Sequence, residues 1–117
     1  MLRVYTYAKC STCQKAVKFL RERGVIFEEI PIRERPPGRD ELRTLLAAQG
    51  GQIRPLFNTS GQDYRALGLK DRLAEMNEEE ALRLLSSQGM LVRRPFLIGS
   101  GKALAGFDPE IWTQALD

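Results

Sequence analysis

The feature that most constrains the fold is a β-α-β pattern with a pair of cysteines at its first turn. The apolar run at residues 2–7 predicts a strand covered on both faces. Cys10-Ser11-Thr12-Cys13 follows and leads into a stretch, ending near Arg23, in which apolar residues recur at helical spacing. Residues 25–30 then predict a second strand. Two strands joined through one helix are expected to be parallel, with a right-handed crossover.

A longer segment with helical spacing comes after the second strand. Three prolines and a glycine between residues 31 and 38 indicate a loop. Asp40 is expected to be the N-cap of a helix that Gly50-Gly51 closes, and Asn77 the N-cap of a clearer helix that Gly89 ends. Shorter helical stretches lie between them. The sequence therefore predicts a helical insertion at about residues 40–88.

The last third of the chain predicts a β-hairpin and a final helix. Residues 96–98 and 102–104 have strand character and are separated by the tight turn Gly99-Ser100-Gly101. Asp108-Pro109-Glu110 is a favourable helix start. The order is thus β-α-β, helical insertion, β-β-α. With Cys-x-x-Cys after the first strand, this order predicts a single α/β domain over residues 1–117, with a thioredoxin/glutaredoxin-like mixed four-stranded sheet.

Both cysteines of the chain lie in the motif at the first turn. A chain of 117 residues can bury a core without disulfide bonds, so these thiols are available for chemistry. The unpaired N–H groups and the positive dipole end of a helix favour a thiolate at Cys10. Cys10 is therefore the expected nucleophile and Cys13, one turn on, the resolving thiol of a redox-active disulfide. Ser11 or Thr12 is expected to cap the helix, and both are expected to contact substrate.

Composition removes several other functional classes. The chain has no histidine, which excludes Cys-His and Ser-His-Asp catalysis and makes a zinc site unexpected, so no metal is predicted. No apolar run approaches the roughly 20 residues of a membrane span, and the N-terminus lacks a signal-peptide pattern. We expect a cytoplasmic monomer with no membrane partner. The net charge of +3 is small, and the arginines of residues 33–39 have no interleaved aromatics, so direct nucleic-acid binding is not expected.

The dipeptide Arg94-Pro95 is the second informative feature of the sequence. Pro95 opens the third predicted strand, where it either simply begins the strand or is held cis against the cysteine loop and contacts substrate. The guanidinium of Arg94 would lower the pKa of a neighbouring thiol and bind an anion. Arg93 would point the other way from an extended backbone, which predicts a surface role. Residues 54–61 form either an ordinary loop or one whose polar side chains, such as Asn58, border the thiol.

Several stretches of the chain together match one known family. These are residues 7–16, residues 56–61 with Tyr64, residues 89–95, and Gly106-Phe107 with Trp112. Over nearly its whole length the chain resembles the arsenate reductase-like proteins of thioredoxin fold, which include the Spx and MgsR transcriptional regulators. The resemblance implies a nucleophilic thiol at Cys10 and an anion-binding guanidinium at Arg94.

The sequence departs from the arsenate reductases of that family at three places. Those enzymes hold the oxyanion with three arginines, of which only Arg94 is matched. Asn58 stands where the middle arginine is expected, and the last is missing near Ala105-Gly106. Thr6 stands near the place of the enzymes' histidine. Because each charge-assisted contact is worth about 1.5 to 3 kcal/mol, these losses imply arsenate binding that is weaker by orders of magnitude.

The second cysteine resembles the Spx branch, in which the cysteine pair forms a disulfide that switches binding to the RNA polymerase α-subunit. Gly50 or Gly51 corresponds to the glycine at that interface. The resulting prediction is a thiol-disulfide redox protein acting on a small thiol, disulfide or oxyanion. It has no bound cofactor, and glutathione, glutaredoxin or thioredoxin is its electron donor. The alternatives are a redox-sensing regulator that binds the α-subunit, a glutaredoxin-coupled arsenate reductase, and a scaffold whose cysteines only pack.

Overall fold

The chain forms four strands and six helices, seen in a computed structural model that describes all residues, 1–117. The strands are β1 (Leu2–Thr6), β2 (Phe27–Pro31), β3 (Phe96–Gly99) and β4 (Lys102–Ala105). The helices are α1 (Ser11–Glu22), α2 (Arg39–Ala48), α3 (Gln62–Ala66), α4 (Leu69–Arg72), α5 (Glu78–Ser87) and α6 (Pro109–Leu116). Short 3₁₀ turns lie at Arg54–Leu56, Leu73–Glu75 and Gly89–Leu91. None of the helices is both long enough and apolar enough to span a bilayer.

The strands form one mixed sheet in the order β2-β1-β3-β4. β1 is parallel to β2 and antiparallel to β3, and β3 and β4 form an antiparallel hairpin. This topology, with α2 to α5 between β2 and β3, confirms the predicted thioredoxin/glutaredoxin-like α/β fold. The register pairs Tyr5 with Phe96 and Phe96 with Ala105. The end of β1, the start of β3 and the end of β4 therefore meet at one edge of the sheet, which brings three loops together there.

The sheet separates two apolar layers. Leu2 and Val4 of β1 point to one side, where they pack with Leu20 of α1, Leu97 of β3 and Trp112 of α6. On the other side a larger core joins the sheet to the leucines of α2 and α5 and to the turns around residues 54–57 and 89–92. The alternation of side chains along β1 produces both layers, as expected of a central strand. The segment between β2 and β3 thus supplies most of one core.

Some element boundaries differ from those expected from the sequence. β2 begins at Phe27 rather than at residue 25, because the Val25 N–H donates to Leu20 O (3.0 Å) and still belongs to the end of α1. Gly24 ends that helix with φ +69°, in the conformation that glycine adopts readily. Asp40 is not the N-cap of α2, so that expectation was wrong. The helix begins at Arg39 and its N-cap is Gly38.

Glu41 explains the earlier start of α2. Its carboxylate reaches back to accept the Gly38 N–H (3.2 Å), as a Glu at the third helical position does in a capping box. The same carboxylate accepts from the Tyr5 hydroxyl (2.5 Å) and from Nε and Nη2 of Arg3 (3.0 and 2.6 Å). Burial and the hydrogen bond to Glu41 raise the pKa of Tyr5 to about 12. Burial alone would raise the pKa of Glu41, but its donors lower it overall. The hydrogen bonds of Glu41 therefore connect α2 to β1.

Replacement of Glu41 by Gln is expected to lower the free energy of unfolding by about 1–3 kcal/mol, because the change weakens a charged acceptor shared by several donors. The measurement is urea denaturation at several pH values. The pKa of Glu41 lies below its ordinary value of 4.5 in the folded protein. Its stabilisation is therefore present above that value and is lost as the pH falls through the folded-state pKa. The difference between the two proteins should shrink on the acid side.

Glu79→Gln is the matched control for this variant. Glu79 is 67% exposed and accepts only from Arg43 (3.2 Å), so its loss should change stability by less than about 0.5 kcal/mol. Equal effects of the two substitutions would contradict the role given to Glu41.

Candidate active site

Cys10 stands at the junction of β1 and α1 and is itself the N-cap of the helix. Its backbone is extended (φ −95°, ψ 113°), and its Sγ accepts the Cys13 N–H at 3.3 Å. The expectation that Ser11 or Thr12 caps α1 was therefore wrong. Both residues are already inside the first turn, with exposed side chains, and the thiol occupies the place where a serine oxygen would accept the same N–H. The sulfur thus faces the helix N–H groups directly.

The two thiols are free and have different surroundings. Cys10 is partly exposed, whereas Cys13 is only 1% exposed. Burial raises the pKa of Cys10, but the thiol and N–H of Cys13 and the guanidinium of Arg94 outweigh it, and the pKa of Cys10 is lowered overall. Burial and the neighbouring Cys10 raise the pKa of Cys13 to about 12. The pair therefore holds one proton on Cys13 and favours negative charge on Cys10.

Arg94 reaches this thiol from the loop before β3. Its Nη1 donates to Met90 O (3.1 Å), and its guanidinium lies 5.3 Å from the centre of the Tyr7 ring. Its Nε is buried and has no hydrogen-bond partner. The Arg94–Pro95 peptide bond is cis, the second of the two conformations considered for Pro95. Arg94 thus combines contact with the thiolate and unused donor capacity.

A cavity of about 690 Å³ opens beside Cys10 and is called here the Cys10 cavity. Its twelve lining residues come from the start of α1 (Cys10 and Thr12), the loop of residues 54–60, Arg93-Arg94, and Gly106-Phe107. The structure therefore brings together four of the residues singled out in the sequence, namely Cys10, Thr12, Asn58 and Arg94.

The other three predicted site residues do not line this cavity. Ser11 is exposed on the first turn of α1, and Pro95 is buried. Cys13 lies behind Cys10 and borders a smaller cavity of about 410 Å³ on the other side of α1. A molecule in the Cys10 cavity would thus contact Cys10 first. Cys13 is shielded from solvent and lies next to Cys10.

Arg54 and Arg93 also line the Cys10 cavity. The sequence left open whether the polar side chains of residues 54–61, Arg54 among them, border the thiol, and it gave Arg93 a surface role. Arg93 is exposed, as expected, but it does not point away from the site. Strand alternation does not apply to it, because β3 begins only at Phe96 and the Arg93 N–H donates to Leu56 O (2.9 Å) in the neighbouring loop. Its guanidinium lies against Gly106, where a Cβ would be 2.6 Å from Nε. Only the crossing of three loops produces this arrangement, so no local pattern signals it.

Comparison with known proteins agrees with this architecture. The model of the ArsC family matches residues 5–115. The chain belongs to the ArsC family. The resemblance to arsenate reductase-like proteins deduced from the sequence is thereby confirmed.

Relatives of this ArsC-family protein have different names. It is 46% identical to the uncharacterized protein YusI of Bacillus subtilis, over 91% of this chain and 90% of YusI. It is 31% identical to the regulatory protein MgsR of the same organism, over 92% of this chain and 84% of MgsR. Among solved structures, a possible arsenate reductase from Streptococcus mutans superposes with a TM-score of 0.85 at 44% identity, covering 92% and 91% of the two chains. The relatives of this chain therefore include both a regulator and a possible enzyme.

Proposed function

We propose that this ArsC-family protein is a thiol-disulfide redox protein in which Cys10 attacks and Cys13 resolves. The observation that carries the proposal is the placement of the two thiols, with Cys10 partly exposed as the N-cap of α1 and Cys13 buried one turn on. This placement lowers the pKa of Cys10 and raises that of Cys13 to about 12. A thiolate is the nucleophilic form, and Cys10 is the thiol that borders the cavity. Cys13 keeps its proton until Cys10 no longer carries the negative charge.

The reaction has two exchange steps. In the first, the Cys10 thiolate attacks one sulfur of a disulfide, forms a mixed disulfide and releases the other half as a thiolate. Cys10 then no longer stabilises the proton on Cys13. In the second, Cys13 loses its proton and its sulfur attacks Cys10, which forms the Cys10–Cys13 disulfide and releases the remaining half as a thiolate. The substrate gains two electrons, and the protein dithiol loses them.

A reductant must then restore the dithiol. Glutathione, glutaredoxin or thioredoxin would supply two electrons by the reverse exchange. We place this cycle in the cytoplasm, where thiols are kept reduced. Arg94 supports the first step, because its guanidinium stabilises the Cys10 thiolate.

Trapping with the Cys13→Ser variant tests this proposal. The variant is expected to stop after the first step, so that incubation with a disulfide yields a stable adduct on Cys10, visible as a mass increase of one substrate half. The wild-type protein should instead lose two mass units as the internal disulfide forms. Bis(2-hydroxyethyl) disulfide is a suitable neutral probe.

Two controls accompany the trapping experiment. Cys10→Ser should form no adduct under the same conditions, because Cys13 is only 1% exposed and burial, the largest cause of its raised pKa, remains in the variant. Turnover is followed with glutathione, glutaredoxin or thioredoxin as the reductant, and arsenate replaces the disulfide in a parallel assay. Absence of both adduct and turnover would overturn the proposal, and turnover with arsenate alone would favour a glutaredoxin-coupled arsenate reductase.

A second candidate function is redox-sensing regulation through RNA polymerase. Similarity to the regulatory protein MgsR over 92% of the chain favours it, and the same cysteine pair would act as the switch. Purified α-subunit is the bait. Capture that depends on the Cys10–Cys13 redox state would support this function, and absence of capture of both reduced and oxidised protein would count against it.

A further inference from the structure

The Cys10 cavity contains unneutralised positive charge. Three of its twelve lining residues are arginines, at positions 54, 93 and 94, and none is an aspartate or glutamate. The salt bridges of the protein engage other arginines. Arg54 donates to the Tyr64 hydroxyl (3.3 Å) and Arg94 to Met90, both uncharged, and Arg94 also lies beside the Cys10 thiol. The cavity therefore has an excess of positive charge even when Cys10 is a thiolate, which favours an anionic ligand.

The Arg93 guanidinium lies in the space left by a glycine. A Cβ at residue 106 would lie 2.6 Å from Nε, 2.8 Å from Cζ and 2.8 Å from Nη2 of Arg93, so the guanidinium can lie there only because Gly106 has no side chain. Gly106 is itself held by two hydrogen bonds, from its N–H to Pro95 O (2.9 Å) and from Trp112 Nε1 to its carbonyl (3.0 Å). Gly106 thus leaves room for the Arg93 guanidinium beside the cavity.

The loop that carries Arg54 is joined to the loop that carries Arg93. The Arg93 N–H donates to Leu56 O (2.9 Å), and the Asn58 N–H donates to Leu91 O (2.7 Å). Phe57 and Val92 form an antiparallel bridge between these bonds. The backbones that carry the two exposed arginines therefore keep a fixed separation across the cavity mouth, while Arg94 lies deeper beside Cys10.

The size of the cavity allows a ligand larger than a simple oxyanion. Its volume of about 690 Å³ lies within the roughly 300–1,000 Å³ typical of pockets for drug-sized ligands and is several times what a tetrahedral oxyanion fills. Pro55, Phe57 and Phe107 add apolar wall between the charges. Each guanidinium can bind one carboxylate through two parallel N–H donors.

We propose that Arg54, Arg93 and Arg94 bind the carboxylates of an acidic disulfide and present its sulfur to Cys10. This inference rests on the proposed function and adds the substrate class, a disulfide with at least two carboxylates. Arg54 and Arg93 are binding residues that select the substrate. The two exchange steps are unchanged, and each half of the substrate leaves as a thiolate that also carries carboxylate charge.

The test measures the rate of Cys10 mixed-disulfide formation with three disulfides of different charge. Dithiodiglycolate is a dianion, bis(2-hydroxyethyl) disulfide is neutral and cystamine is a dication. Because their leaving thiols differ in pKa, each disulfide is compared between protein variants rather than with the other disulfides. Arg54→Gln and Arg93→Gln are each expected to slow the dianion by roughly tenfold at low salt, the range of one partly exposed charge-assisted contact. The neutral disulfide should slow clearly less than the dianion in the same two variants, because it has no carboxylate for either guanidinium to bind.

Arg83→Gln is the matched control, because it removes the same charge from an exposed residue of α5 outside the Cys10 cavity. Arg83→Gln should change each of the three rates by no more than about twofold from wild type. Any such change is a long-range electrostatic effect, which salt screens. If Arg54→Gln and Arg93→Gln slow the dianion no more than Arg83→Gln does, the proposed substrate class is wrong. The redox function would still be supported by the reaction of Cys10 with the neutral disulfide.

A binding measurement separates this inference from failure of the redox function. S-methylglutathione carries two carboxylates and cannot exchange, so its binding by calorimetry needs no reaction at Cys10. The wild-type protein is expected to bind it, and Arg93→Gln to weaken binding by roughly tenfold. Absence of binding would overturn the proposal. Inorganic phosphate that binds as tightly as S-methylglutathione would also overturn it, in favour of a compact oxyanion site.

Discussion

Reduced protein treated with iodoacetamide at pH 7 is expected to react at Cys10 at least about fiftyfold faster than at Cys13. The pKa of Cys13 is raised to about 12, and that of Cys10 lies below its ordinary value of 9.0, so their thiolate fractions differ by at least a thousandfold. The more basic thiolate is intrinsically more nucleophilic, which offsets about twentyfold of this difference over three pKa units. The burial of Cys13 widens the gap again. Peptide mass spectrometry over a time course gives both rates.

The pH dependence of the same reaction reports the cause of the shift. Only the thiolate reacts, so the Cys10 rate rises with pH through its pKa, and a lowered pKa moves this rise to lower pH. Arg94→Gln and Cys13→Ala each remove a group that lowers the pKa of Cys10, and both should move the midpoint upward. Cys13→Ser keeps a hydroxyl donor and is expected to move it less. A Cys10 midpoint at or above the ordinary value of 9.0, unaffected by Arg94→Gln, would support the scaffold whose cysteines only pack.

The sheet could be predicted from the sequence because its determinants are local. The apolar alternation of β1, the helical spacing of α1 and the turn at residues 99–101 each lie within one short window, and chain connectivity then restricts the topology. Helix starts were less predictable. Asn77 and Asp108 do cap α5 and α6 through their side chains, but α2 begins at Arg39, with Gly38 as its N-cap, and Glu41 reaches back to that N-cap. The position of the Glu41 side chain also depends on partners on β1, which are too far away in the sequence for a short local pattern to include them.

The candidate site likewise contains residues that could be predicted from local sequence and residues that could not. Cys10 could be identified because it lies where a strand meets a helix, and Arg94 because it precedes the proline that opens β3. Arg93 could not be identified, and Arg54 only as part of a loop with two alternative roles, because their positions depend on which loops cross at the edge of the sheet. The sequence comparison of arginines therefore underestimated the charge around Cys10. Asn58 and Gly106 do line the cavity, and the positive charge comes from other positions beside them.

Replacement of Gly89 by Ala is expected to lower the free energy of unfolding by about 3 kcal/mol or more, the upper range for overpacking. A Cβ at this residue would lie 1.9 Å from the Ile32 carbonyl oxygen and 2.9 Å from its carbon. These are backbone atoms, so no side-chain rotation relieves the overlap, and one of the two loops must move. Urea denaturation followed by the fluorescence of Trp112, the single tryptophan, measures the loss.

Gly38→Ala is the matched control for this substitution. A Cβ at residue 38 would have nothing within 4 Å, and the φ of −75° suits alanine, so the cost should stay below about 1 kcal/mol, the difference between glycine and alanine at an N-cap. Equal losses of unfolding free energy for Gly89→Ala and Gly38→Ala would contradict this prediction, because they would show that the Ile32 backbone moves aside without strain. Because Gly89 begins the turn whose Met90 carbonyl holds Arg94, a shifted loop should also raise the pKa of Cys10 in any Gly89→Ala protein that remains folded. The alkylation midpoint of that variant thus tests whether the close packing of this loop against Ile32 keeps Arg94 beside the thiolate.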